Sequence, residues 1–451
     1  MTSGDTIAAI ATAPGRGGVA VVRVSGSEAF AIGERLTGKR NGEAASSPLV
    51  RIGRIRFPRS GENAASPFID EAVILFFKAP HSYTGEDVVE FQCHGGVVTP
   101  RRVLAACLAA GARLAHRGEF TERAFLNGKL DYAQAESVLD LIDAKTPRAA
   151  DAALEGLSGR RRRECRALYE SALDLSTRLE HALDVDEGEL ADEYVRQLRA
   201  KSEELRGGIE SAIRKANEGK LLHAGALVVL AGPPNAGKSS LMNALLEENR
   251  AIVSETPGTT RDSIEAWIDL DGWPIRLVDT AGLRESKDEI EGEGVRRAEE
   301  LLSKADVVLW LGGEKGEKVR RAGDRHPLPL SPSHLLTLHP KCDLGSGEGL
   351  NVSAKTGEGL GELKRAIVAK LEEKVAASDS GDTPEGDVAA YQEALALLNG
   401  GLEAKDERRE EDLVLMANGI RAAAERLGAA LGVTYSSDLL DKLFSRFCVG
   451  K

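Results

Sequence analysis

Apolar and polar residues change their period along the chain, and each change marks a different kind of structure. Residues 7–11 and 19–24 are short apolar runs separated by Pro14-Gly15-Arg16-Gly17-Gly18, which predicts two strands joined by a turn-rich loop with a cation at its centre. Residues 72–77 and 88–92 predict further strands and 99–110 a helix, so segment 1–118 is expected to be an α+β domain. Within it, SYTGEDVVEFQCHGG from Ser82 is dense in polar residues and glycine beside a strand. It suits either a hairpin with solvated charges or a ligand loop, and His94 beside Gly95-Gly96 suits a locally satisfied turn residue.

From Gly118 the period lengthens to that of helices. Phe120, Ala124, Leu130 and Ala135 are followed by Leu168, Ala172, Leu175 and Leu179, and then by Val195, Leu198, Leu205 and Ile209. Near the C-terminus Leu413, Met416, Ile420, Ala424, Leu427 and Leu431 repeat the spacing. Such stripes need a common core. Segments 119–220 and 373–451 are therefore expected to form one discontinuous all-α helical domain, with 221–372 inserted between its halves. Residues 373–387, rich in Ser, Asp, Gly and Pro, predict an exposed connector, and the acid cluster Asp184, Asp186, Glu187 and Glu189 a solvated helix junction.

The inserted segment carries the chemistry. Ala226–Ala231 predicts a buried strand, GPPNAGKSS (232–240) a glycine turn, and the apolar positions from Leu241 a helix. Gly232 and Gly237 let the backbone N–H groups of Asn235, Ala236, Gly237 and their neighbours, with the helix N-terminus at Ser240, point at phosphate oxygens. Lys238 reaches the outer phosphates and the Ser239 hydroxyl suits Mg2+. A polar loop, TPGTTRD from Thr256, offers Thr259 and Thr260 to close over the metal and the terminal phosphate, with Thr260 the Mg2+ candidate. Residues 275–278 predict a strand ending in Asp279-Thr280-Ala281-Gly282, where Asp279 serves the magnesium shell and the Gly282 N–H senses the terminal phosphate. Strands at 307–311 and 335–338 precede Lys341 and Asp343, and Ser353-Ala354-Lys355 follows. A carboxylate at Asp343 accepts two hydrogen bonds from guanine and would leave adenine unmatched, which makes GTP the expected nucleotide. Two departures stand out: Leu283 occupies the place of a water-orienting glutamine, and Pro340 that of the asparagine of a guanine motif.

Composition narrows the setting. The chain has 451 residues, 42% hydrophobic and 29% charged, enough for about three domains. No run approaches the roughly 18 apolar residues of a membrane span, and MTSGDTIAAI lacks the basic start of a signal peptide, so a cytoplasmic protein without membrane contact is expected. Cys93, Cys107, Cys165, Cys342 and Cys448 show neither paired nor metal-ligand spacing, which fits reduced thiols. Cys448 opens a terminal four-residue box whose chemistry is wrong for prenylation, leaving it a packed or a functional thiol. A formal charge of −12 argues against a broad nucleic-acid coat but leaves room for a local patch such as Arg160 to Arg163.

PGRGGVAVVRVSG, SYTGEDVVEFQCHGG, RGEFTERAFLNGKLDYAQAESVLDLIDA, GTTRD, DTAGLRE and the terminal FCVGK, in this order from residue 5 to 451, together resemble the MnmE (TrmE) family of tRNA uridine-modification GTPases. Departures are Pro340, Val449 where isoleucine is usual, and a divergent connector around 379–387. The resemblance implies a multidomain homodimer: an α+β N-terminal folate-binding domain, the discontinuous helical domain, and an inserted Ras-like α/β P-loop GTPase domain. It further implies a heterotetramer with the FAD-dependent protein MnmG (GidA), which adds a carboxymethylaminomethyl or aminomethyl group to C5 of the wobble uridine of certain tRNAs. By the same resemblance Arg23, Glu90, Lys129 and Lys451 contact 5-formyl- or 5,10-methylene-tetrahydrofolate, with Cys448 near its one-carbon end. The resemblance also implies that Asn235, Ser254, Thr256 and Thr259 surround a K+ ion that replaces an arginine finger when two nucleotide domains meet, and that Glu291 positions the attacking water.

Overall fold

Residues 7–11 and 19–24 pair as antiparallel neighbours, Ile7 opposite Ser25 and Ile10 opposite Val22, in a computed structural model of the chain. The structure describes residues 4–38, 49–58, 67–184, 192–248, 265–280, 300–312, 334–376, 387–402, 410–431, 444 and 447–450. These fall into two units, Met1–Leu139 with Thr434–Lys451, and Asp140–Val433.

The first unit is built on a sheet of β1 (Ile7–Ile10), β2 (Val19–Ser25), β3 (Leu49–Arg56), β4 (Phe68–Phe77), β5 (Val88–His94) and β6 (Arg113–Leu114). Their order is β3-β4-β5-β2-β1-β6, antiparallel throughout except for β1 beside β6. Alternation sends Val22 and Val24, Ile74 and Phe76, and Val89 and Phe91 to one face, where they pack against Ile32 and Leu36 of α1 (Ala29–Thr37) and Val103 of α2 (Val98–Ala109). Cys93 and Cys107 lie in the same core; burial pushes the Cys93 thiol up to about 11, with Asp70 adding to the effect, and raises Cys107 further. Both are packed, protonated thiols. The charges of the SYTGEDVVEFQCHGG stretch are partnered instead of solvated: Asp87 binds Lys78 at 2.8 Å, Glu86 binds Arg123 at 3.1 Å, and Glu90 binds Arg23 at 2.8 Å. His94 is satisfied as expected, its Nδ1 2.8 Å from Asp70 Oδ1.

Beyond β6 the chain enters α3 (Glu119–Leu126) and α4 (Tyr132–Asp143), and the C-terminus returns to this unit. Phe444 and Phe447 pack with Ala135, Leu139 and Phe125, and Val449 bridges Arg117. Glu119, buried at the start of α3, is held by Arg113, by the His116 backbone N–H at 2.8 Å and by Arg123 at 3.0 Å. Burial alone would raise this carboxyl, but Arg113, the His116 N–H and Arg123 outweigh it and bring it from 4.5 to about 2. The resulting stabilisation is complete above pH 4.5 and is lost as pH falls through about 2. Two and a half pH units correspond to about 3 kcal/mol. Glu119→Gln is therefore expected to destabilise the first unit by about 2–3 kcal/mol at neutral pH and to flatten its acid transition, read by hydrogen exchange in α3 between pH 7 and 2. An unaltered acid transition would show that the carboxylate does not stabilise the fold.

The second unit begins with α5 (Pro147–Leu157), α6 (Arg160–Leu183) and α7 (Asp192–Ala224). The nucleotide segment follows as β7 (Ala226–Ala231), α8 (Lys238–Glu248), β8 (Glu265–Leu270), β9 (Trp273–Asp279), β10 (Val307–Leu311), β11 (Leu335–Pro340), β12 (Leu350–Val352) and α9 (Leu360–Ala376). The sheet runs β12-β11-β10-β7-β9-β8 and is parallel except for the β8–β9 hairpin. Every residue of β7 is buried, because both faces are covered. Leu241 and Leu245 of α8 and Leu363 and Ile367 of α9 cover Val228 and Leu230 on one side, while Val229 lies with Ala305 and Val308 on the other. The sequence starts the connector at 373, but α9 continues to Ala376, since Val375 still packs on the core; residues 377–386 lie outside the described residues.

The helical stripes meet as the shared period requires. Leu175 and Leu179 of α6, Leu198 and Ile209 of α7, Leu398 of α10 (Asp387–Leu402), and Ile420 and Leu427 of α11 (Glu410–Leu431) form a single core. Two helices close to backbone distance, for a Cβ at Gly401 would lie 3.2 Å from the Gly419 Cα. The helical and nucleotide parts are joined at the β8–β9 turn, where Thr146 caps α5 and donates to the Gly272 carbonyl at 2.7 Å. Arg148 stacks 4.2 Å over Trp273 and also binds Glu218. Asp184 ends α6 as its C-cap, while Asp186, Glu187 and Glu189 lie outside the described residues. No described helix is long and apolar enough to cross a membrane.

Candidate functional site

β7 and β9 are parallel neighbours with Leu230 opposite Asp279, so their carboxyl ends bring the glycine turn and the Asp279-Thr280 pair to one place. The turn is built by backbone requirement. Gly232 has φ 146°, and a Cβ there would lie 2.6 Å from the Leu311 carbonyl oxygen; Gly237 has φ 99°. Asn235 takes the left-handed conformation at φ 59°, which an asparagine tolerates. Lys238, only 6% exposed, donates its ammonium to the Gly232 and Pro233 carbonyls at 3.1 and 2.9 Å. Those carbonyls keep a buried cation at the mouth of the turn, from which anionic oxygens can draw it.

Ser239 Oγ donates to Asp279 Oδ2 at 2.6 Å. A hydroxyl and a carboxylate converging from the first turn of α8 and the end of β9 are the hard oxygen pair that suits Mg2+. Thr280 is fixed beside them by donating its hydroxyl to the Leu230 carbonyl at 2.9 Å. The described groups therefore fit a magnesium nucleotide, although no cluster of three metal-ligating side chains exists among the described residues. Ala236 and Ser240 lie on the turn and at the start of α8 as expected.

The residues expected to read the base come from three places. Lys341, left-handed at φ 61°, donates to the Asn235 carbonyl at 3.3 Å and so ties the segment after β11 to the glycine turn. Asp343 Oδ1 accepts from Ser353 Oγ at 2.7 Å, and the same hydroxyl accepts the Thr356 N–H at 3.2 Å. This orients the carboxylate from behind. Ala354 and Lys355 continue the turn after β12. Pro340 closes β11 opposite Val352 and offers neither an N–H nor a polar side chain. Ser254, Thr256, Thr259, Thr260, Ala281, Gly282, Leu283 and Glu291 lie outside the described residues.

A second polar constellation occupies the first unit. Arg23 and Glu90 face each other across β2 and β5 and form an ion pair at 2.8 Å, with side chains 20% and 15% exposed. The guanidinium lies 5.4 Å from the Tyr83 ring and 5.6 Å from the Phe120 ring. Tyr83 in turn bonds Thr121 at 2.9 Å; burial raises its hydroxyl, though Thr121 and Arg23 counteract this. Lys129 donates to the Pro80 carbonyl at 3.1 Å and lies against Gly85, so it holds the loop that carries Tyr83 without bonding the Arg23–Glu90 pair. Sequence reasoning placed Tyr83 in a ligand-loop candidate and Phe120 in a helical apolar stripe, without bringing either ring to Arg23. Cys448 is exposed and its carbonyl accepts the Gly118 N–H at 3.4 Å; Lys451 lies outside the described residues.

The chain is similar to known proteins over its whole length. Residues 6–129 match the family described as GTP-binding protein TrmE N-terminus, and residues 132–448 match the MnmE helical domain. A curated relative from Symbiobacterium thermophilum, named tRNA modification GTPase MnmE, is 42% identical over 464 residues, covering 99% of this chain and 99% of its own. Another of the same name from Dichelobacter nodosus is 41% identical over 463 residues and covers both chains fully, at 100% each. Among solved structures, the G domain of the T. maritima FeoB iron transporter is 25% identical and aligns with 32% of this chain and 98% of its own, at a TM-score of 0.23.

Proposed function

The chain belongs to the MnmE family of tRNA modification GTPases, and on that premise we propose that its hydrolysis of GTP serves the modification of wobble uridine at C5. The observation that carries the nucleotide part is the meeting of Ser239 with Asp279 beside Lys238. Lys238 holds the outer phosphates, Asp343 with Ser353 reads guanine, and Ser239, Asp279 and Thr260 serve Mg2+, which when bound neutralises charge on the phosphates.

In this reading a monovalent cation, K+, completes the site at Asn235 with Ser254, Thr256 and Thr259, and Glu291 positions water when the nucleotide domains of a homodimer meet. Support within the described residues comes from Asn235, exposed at the lip of the turn with its carbonyl bound by Lys341. The Arg23–Glu90 pair, walled by Tyr83 and Phe120, supports the folate reading: an ion pair and two rings on one sheet face suit the amide, pterin and carboxylate groups of a tetrahydrofolate that supplies a one-carbon unit. Lys451 and Cys448 complete that proposal from the C-terminus. The proposed partners are the FAD protein MnmG in a heterotetramer, and tRNA, in the cytoplasm. Segments 1–118, 119–220, 221–372 and 373–451 are the proposed modules.

GTP hydrolysis by the full chain in K+ and in Na+ at matched ionic strength tests the reading. We expect K+ to accelerate turnover at least about tenfold and Asn235→Ala and Glu291→Ala each to remove about 10²-fold or more. Equal turnover in the two salts would remove the cation from the mechanism.

A further inference from the structure

The acidic chain gathers cations on one part of its helical module. Helix α6 opens with Arg160, Arg161, Arg162 and Arg163, and Arg166 follows a turn later. No acidic residue lies in the first turn, and the N-cap is Gly159, left-handed at φ 72° and without a side-chain acceptor. Cations at the positive end of a 24-residue helix oppose its macrodipole, a cost offset only in part by the Arg160–Glu164 pair and by the Arg163 bond to the Ser158 carbonyl. The last turns of α7 run alongside. Lys215 reaches Glu164 at 2.9 Å, and a Cβ at Gly219 would lie 3.0 Å from Arg161 Nη2, so residues 215–219 flank residues 161–164. Arg214 and Lys220 are exposed on those same turns.

Three nearby acids are already engaged. Glu164 is shared between Arg160 and Lys215, Glu155 binds Arg160, and Glu218 is engaged by Arg148. Arg162, Arg163 and Arg166 are exposed on the outer side of α6, since Cys165 and Ala172 point into the helical core, and Arg163 also donates to the Ser158 carbonyl at 2.7 Å. Guanidinium forks on two neighbouring helices match the paired oxygens of a nucleic-acid backbone better than a point charge would.

We propose that this patch, Arg160, Arg162, Arg163 and Arg166 on α6 with Arg214 and Lys220 on α7, is a docking surface for the phosphate backbone of the tRNA. The proposal rests on the tRNA-modification reading and adds where the polynucleotide is held. The patch positions RNA and does not select its sequence, for phosphate contacts carry register and not base identity. It also accounts for how a chain of net charge −12 can hold a polyanion: the contact is local.

The test uses the full chain and an in vitro-transcribed tRNA with uridine at the wobble position, titrated by fluorescence anisotropy from 50 to 250 mM KCl. The combined Arg162→Ala, Arg163→Ala, Arg166→Ala variant is expected to bind at least about tenfold more weakly at 150 mM and to reduce the salt slope by about two. Its melting temperature should stay close to that of the parent, because relief at the positive end of the helix offsets the lost bond from Arg163 to the Ser158 carbonyl. A control triple, Arg178→Ala, Arg196→Ala, Lys201→Ala, further along the same two helices, should bind as the parent does.

Equal affinity and slope for the first triple, or equal weakening by the control, overturns the docking surface. A host lacking its own family member separates the two levels of the claim. If the parent chain restores the modified nucleoside while the first triple binds tRNA normally, the docking surface falls and the modification reading stands. If the parent neither restores the nucleoside nor binds tRNA, both fall.

Discussion

Asp343→Asn is expected to lower affinity for GTP by about 10²-fold or more while creating affinity for the xanthine nucleotide. The proposed role of Asp343 is to accept both the amino and the imino hydrogen of guanine. An asparagine keeps one acceptor and turns the other into a donor aimed at a donor. Losing a charge-assisted bond and leaving a buried donor unmatched costs about 3 kcal/mol, which is that factor. Xanthine carries an oxygen where guanine carries the amino group, so the new amide donor is satisfied there. Ser353, whose hydroxyl reaches Asp343 Oδ1 at 2.7 Å, gives the internal control: Ser353→Ala removes the support but no base contact, and should lower GTP affinity only several-fold. Nucleotide titration of the three proteins decides it, and a variant that loses GTP without gaining the xanthine nucleotide would place Asp343 outside the base site.

Pro340 bears on the same pocket. Where the amide of an asparagine would supply polar groups, a pyrrolidine ring supplies none, and β11 ends there opposite Val352. The link from Lys341 to the Asn235 carbonyl persists without it. In the proposed base site, recognition therefore leans on Asp343 and its serine more heavily than in a site with an asparagine.

What could be read in the chain before its fold was known follows from how locally each feature is encoded. The phosphate turn lies within nine consecutive residues, and the strand before it is apolar at every position because the sheet is covered on both faces. Stripes of Leu and Ala at helical spacing exposed the helical core, including its return from α11, since a stripe without a partner would face water. Edge elements gave far less. β3 interleaves Arg51, Arg54 and Arg56 with its apolar residues and β8 begins with Glu265, because an edge strand needs only one buried side. The short α1, split by Gly33, likewise falls below what a period can reveal. Pairings between distant segments were silent: Arg23 with Glu90, Asp343 with Ser353, and Glu119 with Arg113 emerge only from strand register and from helices laid against it. The charged SYTGED stretch suggested solvated side chains, whereas each acid there found a cation whose position no local spacing announces.

The C-terminus is the most distant of these pairings, and it supports the largest structural prediction. Gly450 sits at φ 107° with its α-carbon so close to β1 that a Cβ would run into the Ile10 carbonyl oxygen. Both the conformation and the space demand glycine, and neither neighbour can yield, because the obstacle is backbone at the end of a central pairing. Gly450→Val should therefore cost about 2–4 kcal/mol locally and release the tail from Arg117, while Phe444 and Phe447 stay anchored against Ala135 and Leu139. If the terminal residues complete the folate site as proposed, tetrahydrofolate binding falls at least about 30-fold, the equivalent of 2 kcal/mol. GTP turnover measured without tRNA should be unchanged, since the phosphate turn lies in the other unit. Carboxypeptidase sensitivity reports the release of the tail and calorimetry with 5-formyl-tetrahydrofolate reports the site. A tail that becomes protease-sensitive while folate binding persists would separate the two, leaving the Arg23–Glu90 constellation to hold the ligand without help from the C-terminus.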